Sequence, residues 1–256
     1  MISKVAVAAS AVALLACPAS QGGGIVDETN EQKYTVGANP TVTVRNTDGR
    51  VYVYASDDNE ITVKAYKRAF TRERLSQIEA KISQVDNAIT IDTEIPPPPK
   101  GLLADRSGTV EYTLLVPQRC AVKVEQSQGE IEVEGLRGPT LECRLTNGRM
   151  TMQNCFGPAQ ISLGTGGIDV GYTWWENLPF AVSLDVGKGD VALLFPPPAA
   201  LRLDAATQNG HIRNVFVEKK EDAEDVQQLK TEIGGVSAAA FKIRTDNGNI
   251  KIGKAY

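Results

Sequence analysis

Apolar and polar residues alternate along most of this chain, and the alternation keeps breaking at a glycine. Between Val122 and Val133 the apolar positions are Val122, Val124, Ile131 and Val133, with Gly129 between the two runs. Leu141, Cys143, Met150 and Met152 hold the same places around Gly148, nineteen residues on. A period of two is the mark of a strand with one buried face. Self-similarity at a fixed spacing is the mark of a repeat architecture. Seven glycines align as pivots: Gly49, Gly129, Gly148, Gly166, Gly189, Gly210 and Gly248. Seven residues before them stand Val42, Val122, Leu141, Ala159, Val182, Leu203 and Phe241. Two residues after stand Val51, Ile131, Met150, Ile168, Val191, Ile212 and Ile250. The columns five before and four after are equally apolar, with Asn214 the single exception. Each pivot, often after Asn or Asp, supplies the positive φ that a tight turn needs.

The polar columns carry the register. Lys123, Glu125 and Glu130 stand one period before Glu142, Arg144 and Arg149. Stacked as parallel strands about 4.8 Å apart, each pair becomes an opposite-charge neighbour. The reading is all-β: a β-solenoid, a flattened β-helix of about 20 residues per turn, with an N-terminal strand-rich cap and a short helix. Residues 34–256 form one domain, with the cap region in 34–120 and regular turns over 121–256, broken by an insert at 216–235. Glu60–Val116 and the insert are the segments available to cover the two open ends of the coil.

Within the cap region, Thr71 can cap a short helix up to Gln77. A hairpin turning at Asp86-Asn87 is expected before the clean alternation of Ala88 to Ile95, and a strand over Val110–Val116. Pro96 to Pro99 reads as a stiff spacer, and Lys219 to Asp225 as a solvated charged stretch. Between Gly166 and Gly189 the pivot spacing widens to twenty-three residues, so Tyr172-Thr173-Trp174-Trp175-Glu176-Asn177-Leu178-Pro179-Phe180 must bulge from the coil. Both tryptophans lie in it. Tyr172, Trp174 and Trp175 are therefore candidate partner-binding residues, for an envelope protein or a glycan; folding back as an apolar lid is the other possibility.

The N-terminus changes the picture of where the protein works. Lys4 precedes an apolar run, Val5 to Leu15, too short to span a bilayer. It ends Leu14-Leu15-Ala16-Cys17, which resembles a bacterial lipobox. That resemblance implies a lipoprotein signal peptide over 1–16, acylation of Cys17 and a membrane anchor, with an outer-membrane destination favoured. An ordinary secretory signal cleaved near Ala16 or Ala19 is the alternative. Residues 17–33 are expected to be a flexible tether.

The chemistry is sparse. Net charge is −4 with both signs mixed, which excludes a basic nucleic-acid face. His211 is the one histidine, at a variable surface column, so neither a triad nor a His-ligated metal is expected. Cys120, Cys143 and Cys155 show no metal-ligand spacing and no disulfide is expected among them. No catalytic residue and no cofactor is assigned. The one enzymatic alternative is a carbohydrate-active β-helix, with Asp185 and Asp204 on outward columns of neighbouring turns.

The layout also resembles the bacterial putative-adhesin family, envelope-associated β-solenoid domains without an assigned function. The matching residues are Thr47-Asp48-Gly49-Arg50-Val51-Tyr52-Val53, Val116-Pro117, the Gly129, Gly148 and Gly166 pivots, and Gly234-Gly235 ahead of Thr245-Asp246-Asn247-Gly248-Asn249-Ile250. The resemblance implies a solenoid at the cell envelope and transfers no active-site residues.

Overall fold

The computed structural model describes residues 25–97, 105, 107–216, 226–235 and 238–255. The segment expected to be a signal peptide and Cys17 lie outside them, as do Lys219 to Asp225 and Pro98-Pro99. The elements in order are β1 (Val26–Thr35), β2 (Thr41–Ser56), β3 (Glu60–Ala69), α1 (Arg72–Ser76), β4 (Glu79–Val85), β5 (Ala88–Glu94) and β6 (Thr109–Pro117). There follow β7 (Ala121–Glu134), β8 (Leu141–Gln153), β9 (Ala159–Gly171), β10 (Ala181–Lys188) and β11 (Val191–Phe195). The chain ends with β12 (Leu201–Asn209), β13 (Ile212–Asn214), β14 (Gln228–Ile233), β15 (Ala240–Asn247) and β16 (Ile250–Lys254).

The turns stack in the register the columns require. Val122 pairs with Leu141, Gly129 with Gly148 and Ile131 with Met150. Leu141, Gly148 and Met150 pair in turn with Ala159, Gly166 and Ile168. Alternate residues bury inward: Val44, Val124, Cys143, Ile161, Leu184, Ile243 and Ala205 are each at most 2% exposed. At about 1.5–3 kcal/mol for each large apolar side chain removed from water, burial of the inward columns together is the main stabilising term of the fold. The charge ladder is also as expected. Lys123, Glu125 and Glu130 lie opposite Glu142, Arg144 and Arg149, though Arg149 reaches its ion pair with Asp169 on the next strand at 2.7 Å.

The pivots are bends rather than tight turns. β2, β7, β8 and β9 run without interruption through Gly49, Gly129, Gly148 and Gly166. Six of the seven pivots have positive φ, from 117° at Gly129 to 152° at Gly248; Gly210 does not. Side-chain volume is excluded as firmly as backbone angle. A Cβ on Gly166 would stand 1.7 Å from the Gly148 carbonyl oxygen, and one on Gly148 1.8 Å from that of Gly129. Ladder bonding thus survives the corner only because no Cβ intervenes.

The stacking order departs from chain order at the C-terminus. β15 lies between β10 and β12, parallel to both, and β16 lies between β11 and β13. The pivots agree: a Cβ on Gly248 would meet Gly189 O at 1.9 Å, and one on Gly210 would meet Gly248 O at 2.0 Å. The last copy of the repeat is therefore not the last rung. It closes a gap left when the chain steps from Phe195 through Pro196-Pro197-Pro198 to Leu201.

Both ends are capped by antiparallel strands. β3 joins β6 and β1 joins β3, and β6 lies parallel to β2. The β4–β5 hairpin turns at Asp86, φ 52°, and lays β5 on β2. At the other end β14 covers β12. Helix α1 has Thr71 at its N-cap, accepting from the Arg74 amide at 3.1 Å. Two boundaries are corrected. Residues 26–33 are not tether, because β1 pairs with β3 over Val26–Thr35; its alternation is mostly polar because it lies at the rim, where neither face is fully buried. And Thr41–Ser56, placed inside the cap region, is a complete turn in register with β7 from Thr41 to Tyr54.

Candidate functional site

The bulge between β9 and β10 is where this chain departs most from its own repeat. Its core is aromatic. Tyr172 is fully buried, its hydroxyl donating to Cys155 O at 2.8 Å, and burial holds its acidity well below that of an ordinary phenol. Phe156, Phe180, Phe195 and Phe241 surround it with ring centroids 5.2–6.3 Å away. Tyr172 is thus not a contact residue, contrary to the expectation from sequence. It occupies an inward corner, where the segment turns back toward the core instead of continuing outward. Trp175 is half-buried against the same cluster, edge-on to Tyr172 at 5.4 Å.

Trp174 points the other way, as adjacent residues on an extended segment must. It is 46% exposed and rests on Phe156 at 5.8 Å. Its indole is tied in place. Trp174 Nε1 donates to Glu176 Oε1 at 3.0 Å. Arg137, from the corner between β7 and β8, forks onto both Glu176 oxygens, the Nη1 bond being 2.6 Å. The Arg137 guanidinium lies over the Phe156 ring at 5.3 Å. Arg137, followed by the Trp174 N–H, pulls the Glu176 carboxyl down to about 2. Leu178 adds a second exposed apolar side chain in the same loop, 40% exposed. The result is an exposed aromatic face beside a fixed ion pair, with its rotamer already chosen. The sequence shows the two tryptophans; it does not show Arg137 and Glu176 meeting, because they lie two turns apart in the chain.

Elsewhere the outer faces are mixed-charge ladders. A groove of about 760 Å³ runs along Arg45, Glu125, Arg144, Ser162, Asp185 and Arg244. Arg45 bonds Asp92 at 2.9 Å and approaches Glu125 at 3.5 Å, and Arg144 approaches Glu125 at 3.7 Å. Asp185 and Asp204 are not on neighbouring turns: β15 intervenes, placing Arg244 opposite Asp185 and 3.0 Å from Asp204. Arg244 holds Asp204 below the usual carboxylate range, the opposite of what a proton-donating acid requires. Among the described residues no cluster of His, Cys, Asp and Glu could hold a metal ion. His211 is exposed at its rim column. Cys120, Cys143 and Cys155 are buried free thiols, and burial raises Cys120 and Cys155 to about 12. No helix among the described residues is long and apolar enough to cross a membrane.

Among solved structures, one shares this architecture. The structure resembles a putative cell adhesion protein from Clostridium sporogenes at 14% identity and TM-score 0.54, over 89% of this chain and 100% of that one. A putative adhesin from Bacteroides fragilis aligns at 10% identity and TM-score 0.33, over 88% of this chain and 96% of that one. A putative lipid binding protein from Parabacteroides distasonis aligns at 10% identity and TM-score 0.33, over 89% and 97%. A comparison with curated protein sequences finds no match. The Toastrack DUF4097 family model matches residues 26–253, from the first strand to the last, and the chain belongs to that family.

Proposed function

We propose that this is a non-catalytic binding protein of the bacterial cell envelope, held to the membrane by lipid on Cys17 and making contact through the Trp174 corner. The observation that carries the reading is the orientation of Trp174: exposed, seated on Phe156, and held by the Glu176–Arg137 pair. A large amphipathic side chain whose conformation is fixed before binding loses little entropy on contact, which is the property of an interaction anchor. Its polar neighbours suit a glycan or a protein loop with both apolar and hydroxyl or amide groups. The lipobox-like Leu14-Leu15-Ala16-Cys17 supports the anchor, and lipid chains add about 0.8 kcal/mol per buried CH₂.

A carbohydrate-active enzyme is disfavoured by the placement of Lys242 and Arg244 between the carboxylates of β10 and β12. The test uses intact cells. Cys17→Ser is expected to abolish palmitate labelling and release the protein from membranes. The wild-type chain is expected to capture an envelope component that is lost with Trp174→Ala. Unchanged labelling and fractionation in Cys17→Ser contradicts the anchor, and unchanged capture by Trp174→Ala contradicts the contact surface.

A further inference from the structure

The groove that crosses the strands beside Arg144 and Arg244 has a neighbour on the same outer face. A second cavity, about 770 Å³, is lined by Gln160, Ser183 and Lys242, which stand two residues before Ser162, Asp185 and Arg244 of the first. The two cavities thus occupy successive outward positions of β9, β10 and β15, which lie side by side in register. Side-chain size explains the depression. The outward positions of β9 are Gln160, Ser162 and Gly164, and those of β10 are Ala181, Ser183, Asp185 and Gly187. Long charged side chains flank them: Glu142 and Arg144 on β8, Lys242 and Arg244 on β15. These walls stand three strand spacings apart, about 14 Å, and the valley floor runs about 20 Å from Pro158 to Gly164.

We propose that this valley binds a linear, uncharged glycan lying along β9 and β10, a contact separate from the Trp174 corner. Other ligand classes fit it poorly. A peptide binds a sheet by adding a strand at an edge or by filling side-chain pockets. No edge is offered here: residues 159–163 pair with β8 on one side and β10 on the other, and residues 182–186 with β9 and β15. Gln160, Ser162 and Ser183 present amide and hydroxyl groups from the floor rather than an apolar socket. A strongly charged chain of either sign meets its like on both walls. Glu142 stands two residues from Arg144 on one wall, and Asp185 and Asp204 stand beside Arg244 on the other, an arrangement that selects against net charge. A chain of hydroxyls meets donors and acceptors on both sides without that repulsion, and bonds to charged groups are the stronger kind. Arg144 is available for them: its side chain is 64% exposed, with Glu125 3.7 Å away.

Titration calorimetry on the full-length protein in detergent tests this, with cellohexaose, maltohexaose and N-acetylchitohexaose as probes. At least one of them is expected to bind. Ser162→Tyr and Ser183→Tyr each set a ring on the valley floor from an outward position, and each is expected to weaken that binding by about tenfold or more with the melting temperature unchanged. Thr151→Tyr, on the outer face beyond Gly148, and Trp174→Ala are expected to bind the sugar as wild type does. Three results overturn the valley: no hexasaccharide binds, both floor variants bind as wild type does, or hexagalacturonate or hexalysine binds more tightly than every neutral probe. Loss of the sugar with Trp174→Ala alone would assign it to the Trp174 corner, overturning the valley and leaving the earlier reading in place.

Discussion

Glycine 166 shows how little freedom the corner leaves. Its missing Cβ would sit 1.7 Å from a backbone oxygen at φ 139°, and that oxygen belongs to a strand bonded on its other side to β7. Gly166→Ala is expected to cost more than about 3 kcal/mol in a urea titration, since neither strain nor register can relax alone. Gly167→Ala, whose Cβ would meet nothing nearer than Asp190 O at 3.8 Å, is expected to stay within about 0.5 kcal/mol of wild type. Equal losses at the two positions would contradict the stacked-pivot account.

Glu176 gives a second residue-scale prediction. Its carboxyl is lowered from 4.5 to about 2, chiefly by Arg137. A lowered folded-state value means the contribution is present above the ordinary carboxylate range and lost as pH falls from about 4.5 toward 2. At this half-exposed site it is worth roughly 1 kcal/mol or less. Tryptophan emission should therefore change across that acid window before the fold melts, and Glu176→Gln should remove the step. A Glu176 carboxyl titrating near 4.5 by NMR would show that the Arg137 fork is absent in solution.

At the scale of elements, the sequence was readable wherever a local pattern had one structural solution. The columns around the pivots, the charge reversal from Glu125 to Arg144, the Thr71 cap and the Asp86 hairpin each specify one geometry, and each is present. The order of the rungs was not readable. Every copy presents the same apolar columns and the same glycine, so any order of stacking satisfies them. β1 was missed because a rim strand needs no strong alternation, and the Trp174 site was half-missed because Arg137 and Glu176 meet only through the coil. Arg244 now has a defined element-level role. Arg244→Glu would face Asp185 and Asp204 with a like charge and is expected to lower stability by about 1–2 kcal/mol, read as a shifted urea midpoint. An unchanged midpoint would argue that β15 is not seated between those carboxylates.

At the scale of the molecule, the chain is a stack of bent strands whose two ends are covered by antiparallel strands and whose largely aliphatic core holds one aromatic cluster beneath the bulge. Packing accounts for Tyr172, Trp175, Phe156, Phe180, Phe195 and Phe241. It does not account for the orientation of Trp174, which rests on Phe156 at the edge of that cluster, stays 46% exposed and is bonded by Glu176, itself held by Arg137. The most direct measurement is a paired one on Trp174→Ala: the melting temperature of the purified protein, and its retention of material from detergent-solubilised envelopes. The account predicts a melting temperature close to wild type, since an exposed side chain contributes little to the core, together with a loss of the retained component. A sharply lowered melting temperature with retention unchanged would contradict it and return Trp174 to the hydrophobic core.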